Sequence, residues 1–287
     1  MKLESIFHPS DFSTASEVAF AHALKLAVVA KTRFSILHVT DNKAVAWQDF
    51  PGVRNTLERW NLIPKGSPKS AVTELGVKVE KIVLEGDPVK ACVNFLDRHP
   101  TDLIVLAVHQ SDGRMQWLRK GVGKPIAKAA GELTLFIPHG IDGFVSLHDG
   151  SVSLRNILIP ITTKPRPQPA VEVAGNLIRN LQLPPGTVWL LHVGPASDSP
   201  SVRIPDNTGW TWKRLSKEGE PADVIVETAE TLAADLMVMT TDGPDRFLDA
   251  LRGTTSERVL RETPCPIVNL PVRPTAGDIE DDHLAAD

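Results

Sequence analysis

The chain has 287 residues and a formal net charge of −4, so it lacks the basic field that nonspecific nucleic-acid binding requires, and nucleic acid is not an expected partner. Its length suits two domains of ordinary size rather than one large core. The opening MKLESIFHPSD has no apolar core of signal-peptide length, and no stretch reaches the roughly 20 apolar residues that cross a bilayer, so a cytoplasmic location away from the membrane is expected.

The same programme occurs twice along the chain. Each half starts with a strand ending in proline, Ile6-Phe7-His8-Pro9 and Ile157-Leu158-Ile159-Pro160. A helical stretch with apolar residues at three-and-four spacing follows, Ala15 to Ala30 and Ala170 to Leu181. Matched second strands come next, Phe34 to Val39 and Val188 to Val193. The marker Gly86-Asp87-Pro88 recurs as Gly219-Glu220-Pro221, and from each glycine it is sixteen residues to the aspartate that opens the next strand, Asp102 or Asp235. A last strand closes each half, Leu133 to Ile137 and Pro266 to Leu270. Nearly all-apolar strands alternating with helices predict parallel sheets covered on both faces, hence an α/β chain of two doubly wound open-sheet domains duplicated in tandem. The boundaries are read as 1–142 and 152–273, with a glycine-rich polar linker over His139 to Ser153 and an acidic, disordered tail over 274–287. The segment between second strand and marker differs, 48 residues from His38 to Gly86 against 27 from His192 to Gly219, and such variable segments are where a scaffold carries specificity.

The most informative stretch is Asp235 to Arg261. An apolar run, Leu236-Met237-Val238-Met239, predicts a buried strand ending near Thr240, and Thr240-Thr241-Asp242-Gly243-Pro244 reads as turn. Gly253-Thr254-Thr255 then leads into a helix from Ser256. Unpaired N–H groups and the positive dipole end at a helix start, with glycines that let a ligand approach the backbone, make an anion site. The bland alternative is that Gly243 and Gly253 serve turns and that Thr254 or Thr255 caps the helix.

This run resembles the phosphate loop of the universal stress protein family, G-x2-G-x9-G-[ST]. Nine residues separate Gly243 from Gly253 and Thr254 fills the hydroxyl position, while Thr240 stands where the first glycine is expected. The resemblance covers both halves and implies an adenine nucleotide alpha hydrolase-like fold, a role in stress response, and ATP or a related adenine nucleotide as ligand. It implies binding residues Ile161, Thr162, Val193, Thr240, Gly243, Gly253, Thr254 and Thr255, with the Val193 backbone facing adenine, position 162 the ribose and the glycine loop the phosphates. Thr162 departs from the family's usual aspartate, so weak affinity is expected. The first half keeps Asp11 but has Ala107-Val108-His109-Gln110 where the loop glycine belongs, so no triphosphate binding of the family's kind is expected there.

Four histidines of the first half, His8, His38, His109 and His139, fall at carboxyl ends of strands expected to be neighbours in the order 2-1-4-5. His38 is matched by His192 and reads as structural. His8, His109 and His139 with Asp11 compose a candidate zinc set. No nucleophile–base ordering or paired carboxylates stand out, so beyond weak ATP hydrolysis an enzyme is not indicated. Three readings therefore stand: a nucleotide-binding regulator, an interaction module that binds no nucleotide, and a metal site in the first half, hydrolytic if catalytic at all. For assembly, the two closing strands are expected to pair within the chain as an internal pseudo-dimer, with further homodimerisation open. Cys92 and Cys265 sit in apolar contexts that favour buried reduced thiols, and Trp210 with Trp212 is expected to pack a loop, with base stacking or one face of an edge strand as the alternatives.

Overall fold

The computed structural model describes residues 3–40, 50–108, 132–205, 209–242 and 255–272. Ten strands form one sheet in the order β3-β2-β1-β4-β5-β10-β9-β6-β7-β8. In the first half β1 is Ser5–Pro9, β2 Arg33–Thr40, β3 Lys78–Glu85, β4 Leu103–Val108 and β5 Leu133–Pro138; in the second, β6 is Asn156–Pro160, β7 Thr187–Val193, β8 Thr211–Lys217, β9 Leu236–Asp242 and β10 Ile267–Val272. Within each half the pairings are parallel. The expected pairing of the closing strands is present: β5 and β10 run antiparallel at the centre, with Ile267 opposite Phe136 and Asn269 opposite Thr134.

Alternation along the strands sends neighbouring residues to opposite faces. Ile6, Phe34, Leu135, Ile157 and Val268 belong to one core, which α1 (Thr14–Ala30) and α5 (Gln168–Asn180) cover. Phe7, Leu37, Phe136, Met237 and Ile267 belong to the other, under α4 (Pro88–Arg98), α6 (Pro221–Thr231) and α7 (Thr255–Glu262). Each core draws residues from both halves, so the seam between β5 and β10 is packed on both faces. The cysteines lie in the second core, buried and free, and burial pushes each thiol up to about 12.

The duplicated markers have physical jobs. Asp87 and Glu220 are N-caps of α4 and α6, their carboxylates accepting from Lys90 N at 2.9 Å and from Ala222 N and Asp223 N at 3.1 and 3.2 Å, and proline follows at the first helical position. Asp102 accepts from the backbone N of Glu4 and Ser5 at 2.7 and 2.8 Å, and Asp235 does the same for Arg155 and Asn156 at 2.7 and 2.8 Å. In each half the aspartate before the fourth strand clamps the start of the first.

Three sequence expectations change. Thr240 and Thr241 are not turn residues; β9 continues to Asp242 because β10 runs to Val272 and supplies ladder partners, and β-branched threonine suits a strand. The strands β3 and β8, at the two outer edges, come from the segments of unequal length, and the longer one adds α2 (Val53–Arg59) and α3 (Ser70–Glu74); Trp212 lies on β8 and Trp210 is buried just before it. Finally, the linker is a folded hairpin, bridged between Val145 and Val152, with Phe144, Val145 and Leu154 buried. His22 of α1 holds it: Nδ1 donates to Val18 O at 2.8 Å, and Nε2 accepts from Phe144 N at 3.0 Å and Val145 N at 3.1 Å. Trp60 Nε1 donates to Leu147 O at 3.2 Å. Gly143 and Gly150, both at positive φ, are required by this docking, since a Cβ on either would stand 2.4 Å from the His22 or Trp60 ring. The tail from residue 273 lies outside the described residues.

Candidate functional site

In open parallel sheets ligands collect at the carboxyl ends of the strands where the winding reverses. In the second half that place lies between β6 and β9, and it holds a cleft of about 340 Å³. Of the residues the sequence nominates, the structure brings Ile161, Thr162, Val193, Thr240 and Thr255 together in its lining. Gly243, Gly253 and Thr254 lie outside the described residues.

The cleft divides chemically. Ile161, Val193, Ile225 and Met239 supply apolar wall, while Thr240, Thr241, Thr255 and Ser256 supply hydroxyls. The first turn of α7 contributes Thr255 and Ser256, so the cleft adjoins the positive end of a helix dipole. Thr241 Oγ1 is buried with no hydrogen-bond partner among the described residues, and a buried hydroxyl left unpaired is costly. Ile161 is held by its N–H to Leu191 O at 2.7 Å and by His192 Nδ1, which donates to Ile161 O at 3.3 Å. Opposite, Arg258 joins α7 to α6 through the carboxylates of Glu220 (2.7 Å) and Asp223, in addition to Glu262 at 4.0 Å on its own helix. Local sequence spacing does not reveal the two bridges between helices, because Glu220 and Asp223 lie more than thirty residues from Arg258.

The corresponding end of β1 is filled from within. Phe12 stacks on His38 with ring centroids 3.9 Å apart and meets Phe50 edge-on at 5.3 Å. Its φ of 61° is uncommon for a bulky side chain, so packing over-determines the position. Asp11 accepts from Ser13 N at 3.0 Å and Ser13 Oγ at 2.6 Å, and Ser13 in turn caps α1 through Ser16 N at 3.2 Å.

The candidate zinc set does not assemble around His8. That ring is fully buried, its Nδ1 donating to Val105 O at 3.0 Å and its Nε2 facing Ser16 Oγ at 3.4 Å, and burial lowers its pKa to about 4. Being committed on both nitrogens and closed to solvent, His8 is not available as a ligand. Asp11 and His139 are exposed, and His109 lies outside the described residues. Among the described residues no three His, Cys, Asp or Glu side chains group as a metal site. His38 bonds Ser10 O at 2.7 Å through Nδ1, a structural role.

Comparison with known proteins fits this architecture. The model of the universal stress protein family matches residues 3–131 and 211–271, more than half of the chain. The chain belongs to the universal stress protein family. A universal stress protein of Methanocaldococcus jannaschii is 45% identical over 51 residues, 18% of this chain and 30% of that protein, and one of Methanothermobacter thermautotrophicus is 38% identical over 63 residues, 22% of this chain and 42% of that protein. The chain thus spans well under two thirds of the length of these two curated relatives. The crystal structure of a universal stress protein from Archaeoglobus fulgidus superimposes with a TM-score of 0.61 at 16% identity, covering 93% of this chain and 96% of that one, which speaks for the fold alone. No helix among the described residues is long and apolar enough to cross a membrane.

Set beside the family's loop pattern, the cleft adds residues that sequence reasoning missed. Lys164, Pro165, Ser256 and Pro221 line it, and Lys164 is the one charged side chain among the described lining residues. Its signal in the sequence was slight, a single lysine in a proline-rich stretch four residues past β6.

Proposed function

We propose that the second-half cleft binds an adenine nucleotide, ATP or a close relative, and that the chain acts as a ligand-responsive protein in stress response. The observation that carries this reading is the unpartnered, buried Thr241 hydroxyl in a cleft that adjoins the start of α7. An anion's oxygen there satisfies the hydroxyl and the helix N–H groups together. The apolar stretch from Ile161 and Val193 to Ile225 suits the faces of a purine, and Lys164 adds a positive charge. Thr162 offers the ribose one hydroxyl in place of a carboxylate, and Thr240 puts a side chain where the family has none, so the affinity is expected at micromolar or weaker.

Calorimetric titration with ATP tests it. Gly253→Val, which puts a β-branched side chain two residues before Thr255 in the sequence, should weaken binding at least about tenfold, or roughly 1.4 kcal/mol, the worth of one or two charge-assisted hydrogen bonds. Lys164→Ala should weaken it in the same direction, and Asp11→Ala should leave it alone. An affinity indifferent to Gly253→Val but lost with Asp11→Ala would assign the ligand to the other half.

A further inference from the structure

We propose that the first half carries a second ligand site, for an organic anion with an apolar body, enclosed by α2, α3 and the edge strand β3. The space there is about 670 Å³, larger than the second-half cleft, and it is built by the segment that the two halves do not share.

The period of β3 places Val79 and Lys81 on one face, toward this space. Lysines on edge strands ordinarily reach into water and keep sheets from pairing, whereas Lys81 is half-buried with Nζ 5.6 Å from the Phe50 ring centroid. Lys69 at the start of α3 and Arg54 on α2 line the same space. Burial, and then the charge of Lys69, hold the Lys81 pKa below its usual value, so the two ammonium groups repel. Neither Lys69 nor Lys81 has a carboxylate within ion-pair distance among the described residues, and no acidic side chain lines the space. The floor is apolar, from Val72, Val77 and Val79. Arg54 has a counter-charge in Glu58 at 3.7 Å, but the two lysines have none among the described residues, and converging ammonium groups above a hydrophobic floor match an anionic head joined to an aromatic or aliphatic body: the head removes the repulsion and the body covers the valines. The concave shape suits a small molecule rather than a flat protein partner.

The probe is anilinonaphthalene sulfonate, followed by its fluorescence on titration into the full chain, with uncharged phenylnaphthylamine as its counterpart. The sulfonate should bind the more tightly. Lys81→Gln should weaken it about fivefold, the loss expected of one partly screened charge pair, and Lys69→Gln should act in the same direction from an exposed position that folding tolerates. Thr73→Trp, which projects a ring into the space from α3, should abolish binding. Saturating ATP should change nothing, so this result stands or falls apart from the nucleotide reading. Absence of sulfonate binding, equal affinity for the uncharged amine, or binding unaltered by Lys81→Gln in protein of unchanged circular dichroism overturns the proposal.

Discussion

His8 and His22 keep neutral imidazoles where a proton has no room. Burial lowers both to about 4 from an ordinary 6.5, and at His22 the lone pair of Nε2 is already the acceptor for two backbone N–H groups. Between those two pH values the unfolded chain binds more protons than the folded one. The stability the neutral rings permit is therefore intact above about pH 6.5 and lost as pH falls toward 4, by up to roughly 3 kcal/mol for each ring. Urea midpoints recorded from pH 7.5 to 4 should decline across this window. His22→Leu should cost about 2–4 kcal/mol by orphaning Phe144 N and Val145 N, and should flatten the pH dependence by about half; an unchanged slope would mean that His22 does not titrate with folding. Phe12 is the other telling residue. It stands directly after Asp11 in a stretch where sequence reasoning attended to the carboxylate, yet it is the aromatic ring that occupies the strand end.

At the level of elements, the aspartate clamps explain why sixteen residues separate each glycine marker from Asp102 or Asp235. The spacing fixes one cap at the start of a helix and one carboxylate under the first strand of the sheet, with the helix in between. Asp102→Ala and Asp235→Ala should each lower stability by about 2 kcal/mol, since each removes two backbone hydrogen bonds to a charged acceptor, and denaturant unfolding should return similar losses for the two. A large loss from one and none from the other would show that the duplication is no longer mechanically equivalent. These repeats were legible because they are local: strand runs, caps and glycines recur at fixed offsets. The hairpin over residues 139–153 was not, because what orders it is His22 and Trp60, distant in sequence, and polar composition alone reads as linker. The extension of β9 through Thr240 and Thr241 was hidden for the same reason, as its ladder partners Leu270 to Val272 lie thirty residues on. In the cleft, the apolar and threonine positions followed from the family pattern, whereas Lys164 and the Arg258 bridge depend on how loops and helices meet.

At the level of the whole molecule, the antiparallel seam makes one sheet of two parallel ones, and both cores run across it. Scanning calorimetry should give a single cooperative transition, and two well-separated transitions would contradict a shared core. Expressed as separate pieces, 1–142 and 152–287 should each expose a long apolar edge, β5 or β10, and should recombine when mixed; pieces that stay monomeric and indifferent to each other would count against the seam as the stabilising contact. Because β10 runs against β5, the carboxyl ends of the two sets of strands face opposite rims, so whatever sits on one rim leaves the other uncovered. A pair of identical chains meeting through such a seam is bound to repeat every alteration of one rim on the other. With both copies on a single polypeptide that bond is cut: one rim can take Phe12 into its crevice and grow an extra pocket beside β3, while the other keeps an open cleft, and each is free to answer to a different chemical signal.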